Sequence, residues 1–488
     1  MKHSTKVLTL MLAAILISLA LFGCAPAAPG AKLDPNNPTA ITVWHYYNGA
    51  VMNAFDQLVK EFNESVGLKQ GIIVQGSSLG NVNDLQTAVL ASARKDVGSE
   101  EMPNIFASYA DTAYAIEQLD VLVDLGQYFT QAELAEYIAA YIDEGKIGNN
   151  NELKIFPIAK STEILMINET DWQPFAEECG HTYADLATPE GLAAVAKAYY
   201  EWVDAKTPDI SNDGRAFYGR DAIANMLIIG AKQLGAEIIK VDKGVATITV
   251  DKTAMRRIWD TYYLPYVSGY FLSAGRYRSD DTKVGEIISY VGSTSSAMYF
   301  PAEVTIAGET YPVNPAILPA PVFEGATNVV VQQGAGMVVT KSTPQKELAS
   351  ATFLKWFTGT DVNSKFSALS GYLPVKKEAN DYDKFMSILA TNGIEQDEVS
   401  KMTLKVAFDS VKSSELYTSK AFDQGLEARK ILDSYLQNKA ETDRLAVVEA
   451  LAGGATLEEA IAVYATDANF ESWYAGFSDT LLKFAPKK

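Results

Sequence analysis

The chain has 488 residues, 48% of them hydrophobic, and a formal net charge of −19. This exceeds the ~100 to 200 residues of one typical domain, so two lobes with large apolar cores are expected. The acidity excludes nucleic acid and anionic lipid as partners held by general electrostatics.

Lys2 and Lys6 precede an apolar run, Leu8 to Phe22, that is too short and wrongly flanked to span a membrane. Residues 1–23 therefore read as a cleavable secretory signal. The run ends in Leu21-Phe22-Gly23-Cys24, which resembles the bacterial lipobox. That resemblance implies cleavage before Cys24 and acylation of the cysteine, on the outer face of the cytoplasmic membrane; the alternative is an ordinary secreted protein. Residues 24–39 would then be the lipidated cysteine and a tether, since Pro26, Pro29, Pro35 and Pro38 keep the segment extended and almost nothing in it is large and apolar. Beyond Cys24 no apolar run approaches the ~18 residues of a span, so the lipid is the one membrane attachment expected. Cys179 would be left without a partner in the chain, and no disulfide is expected; it reads as a buried or incidental thiol.

The folded body is expected from residue 40, and its opening alternates. Ile41-Thr42-Val43-Trp44 reads as a strand, and Val51, Phe55, Leu58, Val59 and Phe62 recur at helical spacing until Gly67 stops the helix. A strand over Ile72 to Gln75 precedes a helix over Asp84 to Ala93; a strand over Asn104 to Ala107 precedes a helix over Thr112 to Leu119. This alternation predicts an α/β layer with a mostly parallel sheet. Ligands of such sheets sit at the carboxyl ends of the strands, here Trp44 to Tyr47, Ser77 to Asn81 and Ser108 to Asp111. Tyr46, Ser78, Tyr109 and Asp111 are the candidates these ends supply, while Trp44 and His45 read as core. Further on, Thr188-Pro189 and Thr343-Pro344 are helix starts, and Thr456-Leu457-Glu458-Glu459 matches a capping box. Gly371 should end a helix over Val362 to Leu369, and Pro374 forbids its continuation, which leaves Tyr372 on a short rigid turn.

The opening Ile41-Thr42-Val43-Trp44-His45, with Leu58-Val59-Lys60-Glu61-Phe62-Asn63, resembles the start of the family 1 extracellular solute-binding proteins of bacterial ABC importers. Ile155 to Ile158 through Ile164 to Asn168 is similar to that family's first interlobe crossover. Gly334 to Val339 with Ala351 to Phe357 resembles its return through the first lobe, and Ser370-Gly371-Tyr372-Leu373-Pro374-Val375 its most recognisable short motif. The resemblance implies a two-lobed α/β fold, the type II periplasmic-binding-protein-like fold, with residues 40–159 and 319–365 in the first lobe and 160–318 and 366–488 in the second. It implies a monomer that takes its cargo in the interlobe cleft, closes on it, and hands it to the permease subunits of an ABC transporter, with no cofactor.

One branch of that family binds glycerol-3-phosphate, and Ser161, Ser295, Gly334, Tyr372 and Arg429 match or lie near its ligand positions. Hydroxyls and an amide around one arginine suit a phosphoryl group, and suit sugar hydroxyls as well. The far end of that branch's pocket is replaced here by the Leu79 to Asn81 region, Tyr109 and Phe217-Tyr218-Gly219-Arg220. Tyr46, Tyr47, Tyr109, Tyr218, Tyr299 and Tyr372 instead suggest stacking on pyranose faces, with Arg220 beside them. A sugar or oligosaccharide is the preferred cargo, a phosphorylated polyol the alternative. Two rival functions remain. Gly76-Ser77-Ser78-Leu79-Gly80 fits G-x-S-x-G between a strand and a helix, which would make Ser78 a nucleophile with His181 as the only downstream histidine; and a closed clamshell could signal to a receptor instead of a permease. No H-E-x-x-H, C-x-x-C or phosphate-binding Gly-Lys loop occurs, and no metal site is expected.

Overall fold

The computed structural model describes residues 31–148 and 150–486. The leader and Cys24 lie outside the described residues. The first strand, β1 (Thr39–His45), is followed by helix α1 (Gly49–Phe62), β2 (Ile72–Ser78), α2 (Val82–Arg94), β3 (Ile105–Ser108) and α3 (Ala110–Glu117). Helix α4 (Ala139–Glu144) and strand β4 (Ile155–Pro157) lead to a crossover. Beyond it come β5 (Glu163–Asn168), β6 (Tyr218–Arg220), α5 (Ile223–Gln233), β7 (Ser289–Ser293) and β8 (Pro315–Pro319). The chain then returns through β9 (Gly336–Val339), α6 (Pro344–Phe357) and α7 (Thr360–Ser370), and crosses again to the long helix α8 (Gly425–Ala452).

Two larger sheets result, beside several two-stranded ones, in the orders β2-β1-β3-β9-β4 and β8-β5-β7-β6. Both are mixed, each with a single strand, β9 or β5, running against the others. Strands β1, β2 and β3 are parallel, but β9 runs antiparallel to β3 and β4. The reason is the route of the chain. Strand β4 leaves toward the crossover, so β9, arriving from the other lobe, enters the sheet at the opposite end. In the second sheet β7 is parallel to β6, and β5 is antiparallel to β7 and β8.

Each sheet has its own core. The first buries Ile41, Val43, Phe55, Phe106, Phe156, Val338, Phe353 and Phe366; the second buries Leu165, Ile167, Phe175, Leu227, Trp259, Leu432 and Trp473. Helix α7 packs on α1 in the first body, and α8 packs on α5 in the second. The segments that join the two bodies meet at one place: Ser161 and Gln333 exchange backbone hydrogen bonds of 2.9 and 3.0 Å, and the Lys160 amide donates to the Leu373 carbonyl at 3.0 Å.

Local rules account for most element ends. The Thr188, Thr343 and Thr456 hydroxyls each accept from a first-turn backbone amide, and Thr456 and Glu459 close the expected capping box. Gly371 ends α7 in the left-handed conformation. Gly67 does not stop α1. It stays helical, the segment continues through a wide turn over Asn63–Gly67 to Gln70, and Gly71 ends it at φ 74°. Gly67 is small for another reason: a Cβ there would stand 2.7 Å from the Ile72 carbonyl oxygen. Helix α3 begins two residues before its expected start, so Asp111 lies in the first turn and not in the loop. Cys179 is exposed, which leaves the incidental thiol of the two readings.

Trp44 and His45 are core residues, 6% and 1% exposed. The His45 ring stacks on Tyr47 at 5.0 Å and packs on Phe55 at 4.6 Å. Its Nδ1 accepts from the Tyr47 amide and its Nε2 has no partner. Burial lowers its pKa to about 4. The unfolded chain takes up the proton first, so His45's contribution is complete above pH 6.5 and is lost as pH falls toward 4, a loss of roughly 3 kcal/mol. Urea midpoints at pH 7 and pH 4.5 should therefore drop further in the wild type than in His45→Gln. Equal drops in the two proteins would refute this role.

Candidate ligand-binding site

Because β1 and β3 are parallel neighbours, their carboxyl ends place Tyr46 and Tyr109 side by side, with ring centroids 6.4 Å apart and planes nearly parallel. Tyr372 joins them from the turn that Gly371 opens. The Tyr46 hydroxyl lies near those of Tyr109 and Tyr372, and the Tyr372 hydroxyl near Ser295. Ser295 belongs to the turn after β7, so this group already spans the two bodies. The approach is close: a Cβ on Gly371 would lie 3.2 Å from the Ser295 Cα. Burial pushes all three tyrosyl pKa values up, so each ring keeps its proton as a donor. Tyr109 is 41% exposed and presents a face to solvent.

Beside this group lies a cavity of about 400 Å³ lined by Tyr109, Asp111, Glu144, Gln332, Gly334 and Arg429 among others. Its polar wall is a connected network. Arg429 Nη2 donates to Asn225 Oδ1 (2.7 Å), and Asn225 Nδ2 donates to Glu163 Oε1 (2.9 Å) and Gln333 Oε1 (2.8 Å). Arg220 Nη2 donates to the other Glu163 oxygen at 2.5 Å. On the opposite side Glu144 accepts from Lys160 Nζ (2.8 Å) and Gln332 Nε2 (2.7 Å), and Lys160 also donates to the Gly334 carbonyl (2.9 Å). Gly334 sits at φ 107° with room for no side chain, its would-be Cβ 2.9 Å from the Ala159 carbonyl oxygen.

Of the residues expected from sequence, the structure thus brings Tyr46, Tyr109, Tyr372 and Ser295 into one group and Asp111, Gly334 and Arg429 into the adjoining cavity. Ser161 is buried in the crossover, where its backbone holds Gln333. Tyr218 and Arg220 stand apart. Tyr218 is 4% exposed and packs edge-on against Phe271 at 4.8 Å, and Arg220 reaches the cavity only through Glu163 and Asn225. Tyr47 is core and Tyr299 is 60% exposed. The Ser78 hydroxyl donates to the Tyr47 carbonyl at 2.6 Å. His181 stacks on Phe175 of the second core at 5.1 Å, so the two do not form a nucleophile and base. Asn225, Glu163, Gln333, Glu144 and Lys160 were not anticipated. Asn225 carried a signal, being a lone amide on the buried face of the apolar run Ile223 to Ala231, and Glu163 another, as the one carboxylate in a fully buried strand.

Among the described residues no group of three or more His, Cys, Asp or Glu side chains could hold a metal ion, and no helix is long and apolar enough to cross a membrane. The site can offer hydroxyl donors, ring faces, amides and carboxylates to a polar solute.

No curated protein sequence matches the chain. Solved structures do. A cyclic alpha-maltosyl-1,6-maltose binding protein from Arthrobacter globiformis is 18% identical, with TM-score 0.63 over 91% of this chain and 100% of the other. UgpB from Mycobacterium tuberculosis in complex with glycerophosphocholine has the same identity, TM-score and coverage. The ABC substrate-binding protein Lmo0181 from Listeria monocytogenes in complex with cycloalternan is 16% identical, with TM-score 0.64 over 91% of this chain and 99% of that one. These likenesses establish a shared two-lobed fold. The family model for bacterial extracellular solute-binding proteins matches residues 57–392, more than half of the chain, and the chain belongs to that family.

Proposed function

We propose that this protein captures a carbohydrate, a sugar or oligosaccharide, between its lobes and delivers it to the permease of an ABC transporter from a lipid anchor on Cys24. The observation that carries the reading is the tyrosine group: three rings from separate elements of the first sheet's side, meeting Ser295 of the other body at the mouth of a polar cavity. Ring faces with fixed hydroxyls suit pyranoses, which are apolar on their faces and polar at their edges. The binding sites are then Tyr46, Tyr109, Tyr372, Ser295, Gly334 and Arg429, and the lobes divide at 40–159 with 319–365 against 160–318 with 366–488. Two separate cores support a division into two lobes, with Phe366 and Tyr372 packing on the first core and Phe323 on the second. Two of the structural neighbours named above bind cyclic oligosaccharides.

The alternative, a glycerol phosphate ester, draws on Arg429 and on the glycerophosphocholine held by the mycobacterial neighbour. It is the weaker reading. Arg429 is already engaged by Asn225, and Asp111, Glu144 and Asp433 line the same cavity, so a dianion would meet carboxylates there. Binding without turnover is the expected behaviour, since the Ser78 hydroxyl is occupied by a backbone carbonyl.

A thermal-shift screen of sugars, oligosaccharides, polyols and glycerol phosphates decides between these readings. A solute that binds only the folded protein should add about 3 to 4 kcal/mol when present at ~100 to 1,000 times its dissociation constant. Shifts with saccharides are expected. Shifts confined to glycerol phosphates would overturn the carbohydrate reading.

A further inference from the structure

The sequence holds two Asn-Gly pairs, Asn48-Gly49 and Asn392-Gly393, and the fold treats them in opposite ways. A glycine after an asparagine leaves the side-chain carbonyl carbon open to the next backbone nitrogen, because no Cβ screens that nitrogen and the glycine turns freely. What else holds the two atoms then decides whether they meet. Asn48 joins the end of β1 to α1 in an extended conformation, φ −138° and ψ 172°. Asn48, Gly49 and Ala50 are all exposed. The Gly49 amide, first of its helix, has no acceptor among the described residues. Gly49 sits at φ 52°, and a Cβ there would meet nothing within 4 Å, so the chain can rotate at this point without collision. The Asn48 side chain caps no helix amide; its Nδ2 donates to the Gly80 carbonyl at 3.2 Å, the long end of the ordinary range. That bond holds the nitrogen and leaves the carbonyl carbon uncovered. Asn392 is held at both places: it closes the helix Tyr382–Thr391, its Nδ2 donates to the Ile388 carbonyl at 2.8 Å, and the Gly393 amide donates to the Ala390 carbonyl at 3.2 Å.

We propose that Asn48 is a site of spontaneous self-modification, two residues beyond Tyr46. The Gly49 backbone nitrogen bonds to the Asn48 side-chain carbonyl carbon and gives up its proton; the bond from that carbon to Nδ2 breaks, and the nitrogen leaves with the proton as ammonia. Water then opens the five-membered imide at one of its two carbonyls, which restores the Gly49 N–H and leaves aspartate or isoaspartate. Either product loses the Nδ2 donor and sets a carboxylate near the Gly80 carbonyl. Isoaspartate also adds a backbone carbon between Tyr47 and α1. The loop after Tyr46 is then no longer tied at Gly80, and capture weakens as the protein ages. That consequence rests on the carbohydrate reading of the tyrosine group; the chemistry at Asn48 does not.

Peptide mapping by mass spectrometry, after the folded full-length mature chain has been held at pH 8.5 and 37 °C, tests the site without any ligand. Asn48 should convert to the acid roughly tenfold faster than Asn392, which corresponds to a barrier lower by about 1.4 kcal/mol. In concentrated urea the two should convert alike, since both are then plain Asn-Gly pairs. Equal rates in the folded protein, a faster Asn392, or conversion of Asn48 only after unfolding would overturn the assignment. Asn48→Ser keeps a residue that caps helices and cannot convert. Its fresh and aged samples should bind the saccharide found by melting shifts alike, whereas aged wild type should bind it several-fold more weakly than fresh. Unchanged affinity in aged, converted wild type would refute the loosening of the Tyr46 loop. Failure of every saccharide in the melting screen would refute the proposed cargo, and the mapping would still decide the modification.

Discussion

Replacing Tyr372 by alanine should weaken saccharide binding roughly 100-fold, the scale of losing a central aromatic anchor of an interface. Tyr372 is placed to matter more than its neighbours because it touches both halves of the site. Its ring packs on the first core, and its hydroxyl lies near Tyr46 in the first lobe and Ser295 in the second. The turn that carries it is held at both ends, by the left-handed Gly371 before it and by the Lys160 to Leu373 backbone pairing after it. Little entropy is then lost when a sugar meets the ring. Tyr372→Phe removes the hydroxyl alone and should cost about tenfold, the scale of one hydrogen bond in a closed site. Titration calorimetry with the saccharide found by melting shifts measures both, and Tyr277→Ala, at a 53% exposed surface tyrosine away from the cavity, is the control. Wild-type affinity in Tyr372→Ala would remove the tyrosine group from the site.

The parts of this molecule that follow local rules were legible in its sequence. Thr188, Thr343, Thr456 and Gly371 cap helices because a hydroxyl or a left-handed glycine answers unpaired backbone groups wherever it occurs. The strand ends that carry Tyr46 and Tyr109 were legible for the same kind of reason, since alternating periodicity fixes which residues emerge at the carboxyl ends of β1 and β3. What escaped depends on long-range approach. Gly67 reads as a stop, but its small size serves the Ile72 carbonyl and the stop is Gly71. Tyr218 reads like the other tyrosines, yet β6 turns it onto Phe271. The mixed sheets follow from the direction in which the chain re-enters the first lobe, which periodicity does not encode. The Asn225 network joins residues more than 60 positions apart in sequence, and only the fold brings them together.

That network makes Glu163 the position where one substitution should damage stability and binding together. Its side chain is 6% exposed and Arg220's 9%, so the pair is held away from water. Glu163→Ala would leave the Arg220 guanidinium buried and uncompensated, and breaking such a pair from one side costs about 3 to 5 kcal/mol. The Arg220 Nε already lacks a partner, which leaves no reserve contact to absorb the loss. Urea unfolding followed by the tryptophans should show that destabilisation. Exchanging both members, Glu163→Met with Arg220→Met, removes the stranded charge and should recover most of the stability. Solute affinity should not recover with it, because Asn225 then keeps only Gln333 to fix its amide, and the acceptor that aims Arg429 at the cavity is less firmly held. If the double variant regained full affinity, the ion pair would be a packing device alone. If Glu163→Ala unfolded at wild-type urea concentrations, water would have to reach Arg220, and the closed wall of this cavity would be wrong.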